Sequence, residues 1–176
     1  MGAKRKHAAK QQNKNGYGNV VDIKPFQSKQ KQVTILPRNR NQESYVLSLL
    51  DLTKDIVFGI GPAGTGKTLL AVQVAVKLFK EGAIDKIIVT RPAVSVDEDL
   101  GFLPGTLEEK MAPWTRPIFD VLKEYFNAAE ITGMIAEGII EISPLAYMRG
   151  RTFKRSFILA DEMQNATPNQ MKMLLT

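Results

Sequence analysis

Cysteine is absent from the 176 residues, and histidine occurs once, as His7. Without thiols there is no disulfide framework, no zinc–thiolate site and no cysteine nucleophile. One histidine in a polar tail also excludes a multi-histidine metal centre and argues against a histidine-based catalytic triad. No apolar run is long enough to cross a membrane as a helix. The basic N-terminus is not followed by an apolar stretch, so no secretory signal is visible and a cytoplasmic location is the default expectation. Aromatic residues make up 7% of the chain, with one tryptophan, Trp114. The length suits one domain with a real core.

Charge is unevenly distributed. Residues 1–40 hold ten Lys/Arg against the single Asp22, and residues 41–176 hold fourteen Lys/Arg against seventeen Asp/Glu. The basic character therefore belongs to an N-terminal arm. Residues 1–32 are rich in Lys, Gln, Asn and Gly, with only Tyr17 and Phe26 as aromatics. Such a segment buries too little apolar surface to offset its ordering entropy, which predicts disorder, with a short strand near Val20–Ile23. A salt-dependent contact to the phosphate backbone of RNA or single-stranded DNA is one reading of this arm. A solvated, solubilising tail is the other.

From residue 33 onward the pattern is that of a folded core. Val33–Leu36 is a short apolar run closed by Pro37. Helical spacing of Tyr45, Val46, Leu49 and Leu50 predicts a helix over Asn41–Leu50. Short apolar runs at Ile56–Ile60, Lys86–Thr90, Ile139–Ile142 and Ser156–Ala160 read as strands. Thr68–Lys80, Arg116–Phe126 and Ile131–Glu137 read as helices, with a Pro/Gly-punctuated loop over Pro92–Pro113. The Thr68–Lys80 helix is apolar on most sides, with Gln73, Lys77 and Lys80 as a narrow polar stripe, so it should be packed between other elements. Strands with continuous apolar runs, alternating with helices, predict an α/β fold with a mostly parallel sheet covered on both faces. Thr167 as N-cap, Pro168 at the first position and Gln170 start a last helix. It reaches Thr176 after about two turns, which suggests a C-terminally truncated core.

The chemistry concentrates in Gly61-Pro62-Ala63-Gly64-Thr65-Gly66-Lys67-Thr68. This is the glycine, four residues, Gly-Lys-Ser/Thr pattern, between a predicted strand and a predicted helix. Glycines let successive N–H groups turn inward to phosphate oxygens. The helix N-terminus adds unpaired N–H groups and a favourable dipole. Lys67 supplies positive charge at the β/γ-phosphates, and the Thr68 hydroxyl suits a Mg²⁺ ion. The second half of such a site is Asp161-Glu162, at the end of an apolar strand. An acidic residue there holds the metal, and a second carboxylate orients and deprotonates the attacking water. The expected catalytic set is therefore Lys67, Asp161 and Glu162, with Thr68 and Asp161 on the metal. This adjacency favours hydrolysis over phosphate transfer by a small-molecule kinase. No Asn-Lys-x-Asp guanine-reading pattern follows the loop, which leaves adenine, and hence ATP, as the expected ligand.

Several longer runs carry a resemblance. They include Ile60–Thr68, Val89-Thr90-Arg91-Pro92-Ala93-Val94, Leu100-Gly101-Phe102-Leu103-Pro104-Gly105, Ser143-Pro144-Leu145-Ala146, Met148–Phe153 and Asp161-Glu162-Met163-Gln164-Asn165. Over about residues 38–176 the chain resembles the PhoH-like (phosphate-starvation-inducible) ATPases, which are similar to superfamily 1 helicases in their nucleotide core. The resemblance implies a RecA-like P-loop fold, ATP and Mg²⁺ as ligands, ATP hydrolysis and a role linked to RNA or DNA. It assigns Gln42, nineteen positions before Gly61, to adenine reading. A surface glutamine at a helix start is the bland alternative. It turns Arg91 toward a nucleic-acid strand. Arg149 or Arg151 would act on the γ-phosphate of a neighbouring subunit, which requires a homo-oligomer such as a ring. Structural ion pairs or plain surface roles are the alternatives for these arginines. Trp114 reads as buried under the long loop rather than as a base-stacking residue. The family usually has alanine where Met163 stands. It also continues into a strand ending in Thr-Gly-Asp-x-x-Gln, which this sequence lacks. Beyond an ATP hydrolase, two functions stay open: a helicase or translocase on nucleic acid, and a nucleotide-binding switch without turnover.

Overall fold

The computed structural model describes residues 32–92 and 107–176, with side chains in the second stretch from Thr115 onward. The expectations for the basic arm, for Val20–Ile23, for residues 93–106 and for the Trp114 side chain lie outside these described residues.

Three parallel strands form the sheet: β1 (Lys86–Arg91), β2 (Ile140–Pro144) and β3 (Ser156–Ala160), in the order β2-β1-β3. Register pairs Val89 with Ile142 and Leu159, and Thr90 with Ser143 and Ala160. Parallel pairing requires each strand to be reached by a crossover, so all three carboxyl ends lie on one edge. Ile87 to Thr90 of the central strand are all buried. That explains the unbroken Ile-Ile-Val run, since a strand covered on both faces has no polar side to alternate with.

α1 (Arg40–Leu50) and α2 (Lys67–Lys80) precede the sheet. α3 (Leu107–Tyr125) and α4 (Ala128–Ala136) make the crossover from β1 to β2. α2 is the hub, touching α1, α3, β1 and β3. Val72, Val74, Ala75 and Val76 are buried on it. Its expected polar stripe is a packed seam. Lys77 pairs with Glu81, while Lys80 reaches the Tyr125 carbonyl and lies 4.9 Å from the Phe126 ring centroid. The long stems of these lysines cover apolar surface while their heads find partners.

The other sheet face is closed by a 3-10 turn over Leu145–Met148 and by α5 (Pro168–Leu175). There Ile88, Leu145 and Met148 pack with Phe153, Met163, Met173 and Leu174. Met163 is thus a packing residue. α5 begins as expected, with Thr167 and Gln170 forming a reciprocal capping box and Pro168 at the first helical position.

Three boundaries differ from the sequence expectation. Ile56–Ile60 pairs with no strand among the described residues, and Ile56, Phe58 and Ile60 are 54%, 66% and 93% exposed. An apolar run becomes a strand only where a neighbour completes its ladder, and the sheet ends at β3, whose Ile158 is partly open to solvent. α3 begins at Leu107, nine residues before the expected Arg116, and runs through Pro113 and Pro117. Proline is a poor helix former, but packing against α2 sustains this helix. β2 extends through Pro144, in register with Arg91. Proline is tolerated at a strand terminus and at a sheet edge, and β2 is an edge strand.

Candidate phosphate-binding site

Residues 61–66 lead into α2, whose first helical residue is Lys67. The N-cap is Gly66, with φ 82° and ψ 13°. That left-handed conformation strains any residue with a Cβ. It delivers the chain into the helix with the first-turn N–H groups unpaired, which is what an anion site needs. Within the loop, the Thr65 hydroxyl donates to the Pro62 carbonyl at 2.9 Å. Lys67 Nζ donates to the carbonyls of Gly61 and Pro62, each at 2.8 Å. The ammonium is therefore folded over the loop mouth, with Thr65 Oγ1 at 3.5 Å on its third side.

Asp161 follows β3 directly, and its N–H donates to the Thr90 carbonyl at 2.9 Å, extending the ladder by one bond. Its carboxylate Oδ1 accepts from the Thr68 hydroxyl at 3.1 Å. The two residues are 93 positions apart in the chain. The two halves of the sequence-predicted site thus meet at the carboxyl edge of the sheet, where ligands of open parallel sheets gather. Thr68 and Asp161 offer two hard oxygens. Neighbouring ligands on an octahedron with bonds of about 2.0–2.1 Å stand about 3 Å apart, so this pair fits a Mg²⁺ ion that keeps several waters.

Glu162 has φ 53° and ψ 35°. A left-handed non-glycine residue costs on the order of 1–3 kcal/mol, and such strain clusters at functional sites. The turn carries the chain off the strand into a short 3-10 segment, and the Gln164 amide donates to the Glu162 carboxylate. Glu162 is thus held beside Asp161 but aimed by a different backbone conformation.

The arginines separate. Arg151 makes a two-pronged ion pair with Glu141 of β2 and lies 4.7 Å from the Phe153 ring centroid. This pairing holds the Glu141 carboxyl below its usual range and raises the Arg151 guanidinium. Arg149 is exposed, and among the described residues neither it nor Arg91 has an ion pair. Arg91 ends β1, at the same sheet edge as Asp161, and Arg149 follows the 3-10 turn after β2.

Two roles were missed in the sequence. Tyr45 of α1 lies where a Cβ on Gly59 would come within 3.1 Å of its ring and hydroxyl, so the segment before the loop packs against α1 with little room for a side chain. Burial, and then the Asp161 charge, push the Tyr45 phenol up. Gln42 is the other: its amide contacts the phosphate loop itself. The spacing Asn39-x-x-Gln42, a helix-capping pattern, was the available signal for a glutamine engaged at the start of α1.

A family model described as PhoH-like protein matches residues 34–176. The chain belongs to the PhoH-like family. That makes it a member of a family of P-loop ATPases, in agreement with the parallel sheet and the loop geometry. Over 81% of its length it is 52% identical to the PhoH-like protein of Bacillus subtilis, and it covers 44% of that relative. The PhoH-like protein of Mycobacterium leprae is 50% identical over 81% of this chain, covering 40% of the relative. Protein PhoH of Escherichia coli K12 is 44% identical over the same share, again covering 40% of the relative. The chain therefore spans less than half the length of these curated relatives. No described helix is long and apolar enough to cross a membrane.

Proposed function

We propose that the protein binds ATP with Mg²⁺ through residues 61–68 and hydrolyses it. The observation that carries this reading is the Thr68–Asp161 contact at 3.1 Å, which joins a phosphate loop to a strand-end acid. Backbone N–H groups of the loop and the α2 terminus receive the phosphates. Lys67 exchanges its loop carbonyls for phosphate oxygens and neutralises their charge. Thr68 and Asp161 would hold the metal, which would neutralise phosphate charge and so ease the approach of the nucleophile. Glu162 accepts a proton from the attacking water, and Gln164 keeps that carboxylate in place. The test is phosphate release by the purified protein with Glu162→Gln as control: the variant keeps ATP affinity and loses turnover. Tight ATP binding with no release by the wild type would leave a nucleotide switch.

Coupling to RNA or single-stranded DNA is a second reading, favoured by Arg91, at the carboxyl end of β1, and by Arg149 standing without ion pairs among the described residues. The arm, with its excess of lysine and arginine, would add sequence-independent contacts. Arg149, rather than the engaged Arg151, is then the residue to act on a nucleic-acid phosphate or on a neighbouring subunit's nucleotide. Stimulation of phosphate release by RNA or DNA, lost in Arg149→Ala, supports this reading. No stimulation by any strand counts against it.

A further inference from the structure

The Gln42 side chain joins α1 to the phosphate loop. Its Nε2 donates to the Thr65 carbonyl at 3.0 Å, and its Oε1 accepts from the Arg38 N–H at 2.6 Å. The partners fix the orientation of the amide, since a flip would set N–H against N–H and oxygen against oxygen. The backbone N–H of Gln42 is also engaged, donating to Asn39 Oδ1 at 2.9 Å. A glutamine that reads adenine turns both amide atoms to the base edge. Here both already have partners within the chain.

The bond to Thr65 has a consequence for phosphate. In a trans peptide the C=O and the following N–H point in opposite directions. Holding the Thr65 carbonyl toward α1 turns the Gly66 N–H away from α1, and that N–H has no protein acceptor among the described residues. A Cβ at Gly66 would lie 3.4 Å from Gln42 Nε2, so the amide rests directly on this peptide. Glycine at 66 supplies the left-handed conformation but has no side chain with which to fix its own plane. The fixing comes from a residue 23 positions away.

We propose that Gln42 is a positioning residue for the phosphate loop, setting the Thr65–Gly66 peptide so that its N–H faces the phosphate chain, whatever base that chain carries. The inference rests on the reading of residues 61–68 as a triphosphate site. Its signature is a loss of affinity that is independent of the base.

The experiment compares Mg-ATP with inorganic tripolyphosphate by calorimetry on the wild type, Gln42→Met and Asn39→Ala, with folding checked by thermal unfolding. Gln42→Met should weaken both ligands by the same factor, roughly three- to tenfold, as expected for one lost hydrogen bond. Asn39→Ala removes the α1 cap, keeps the link to Thr65, and should leave both affinities unchanged. If Gln42→Met does not fold, Gln42→Glu keeps an oxygen for the Arg38 N–H and removes the donor to Thr65. Its loss should be equal for both ligands and should persist in high salt, where charge repulsion is screened. Weakened ATP with unchanged tripolyphosphate makes Gln42 a base reader and overturns the proposal. Unchanged affinity for both, or the same loss in Asn39→Ala, overturns it too. A wild type that binds neither ligand overturns the phosphate-loop reading, and this inference with it.

Discussion

Thr90→Val should make the protein more stable. Thr90 sits near the carboxyl end of the central strand, 0% exposed, and among the described residues its hydroxyl has no hydrogen-bond partner. A buried polar group without a partner costs about 1–3 kcal/mol relative to a satisfied or apolar one. The backbone of Thr90 is not involved: its carbonyl accepts from the Asp161 N–H, and that bond survives the substitution. Two residues along a strand share a face, so the side chain lies on the Ile88 side, toward Leu145 and Met148 rather than α2. Valine keeps the β-branched shape and strand preference and replaces the hydroxyl with a methyl. The gain should be about 1–2 kcal/mol, or a few degrees in Tm for a domain of this size. Urea unfolding of both proteins measures it, with an unchanged m value showing that the unfolded states are comparable. ATP affinity should not move. A variant less stable than the wild type would refute the reasoning, because the hydroxyl would then have a partner whose loss outweighs its desolvation.

Further outcomes follow from the site and its supports. The Glu141 carboxyl is held low by Arg151, so its contribution is present above the ordinary carboxylate range and is lost as pH falls through its depressed folded value. Glu141→Gln should therefore flatten the acid limb of a stability-versus-pH profile, by up to about 1 kcal/mol for a pair this exposed. The Tyr45 phenol is raised by burial and then by Asp161. Its contribution is present below the ordinary phenol range and is lost as pH rises through the folded value. In a near-ultraviolet absorbance titration, Asp161→Asn should bring Tyr45 ionisation to lower pH. Asp161→Asn should also remove the Mg²⁺ dependence of ATP binding, measured by titrating the metal at fixed nucleotide. If metal dependence were retained, Asp161 would not be a ligand.

What was legible in the sequence was set by local chemistry. The Gly-Lys-Thr loop, the buried Ile87–Thr90 run and the Thr167/Gln170 capping box each contain their own cause; the last two stand where they were expected, and the loop heads α2 as expected but lacks the strand expected before it. Pairing partners are not local. Ile56–Ile60 has strand composition, but its state depends on which strand lies beside it, and none does among the described residues. The start of α3 was hidden because Pro113 read as the end of a Pro/Gly-punctuated loop, while packing against α2 sustains the helix. Arg149 and Arg151 looked equivalent until Glu141, ten residues earlier on β2, engaged one of them. Gln42 needed the fold most: its contact with Thr65 crosses 23 residues, and only the Asn39-x-x-Gln42 spacing hinted that the amide was engaged.

The central claim is that loop 61–68 and Asp161 together hold a magnesium–triphosphate group. Isothermal calorimetry of Mg-ATP into the folded protein, with and without the metal, tests it most directly. Saturable one-site heat that weakens sharply when Mg²⁺ is withdrawn, and disappears in Lys67→Ala, is the predicted result. Folded wild-type protein that takes up no ATP, with or without magnesium, would contradict it.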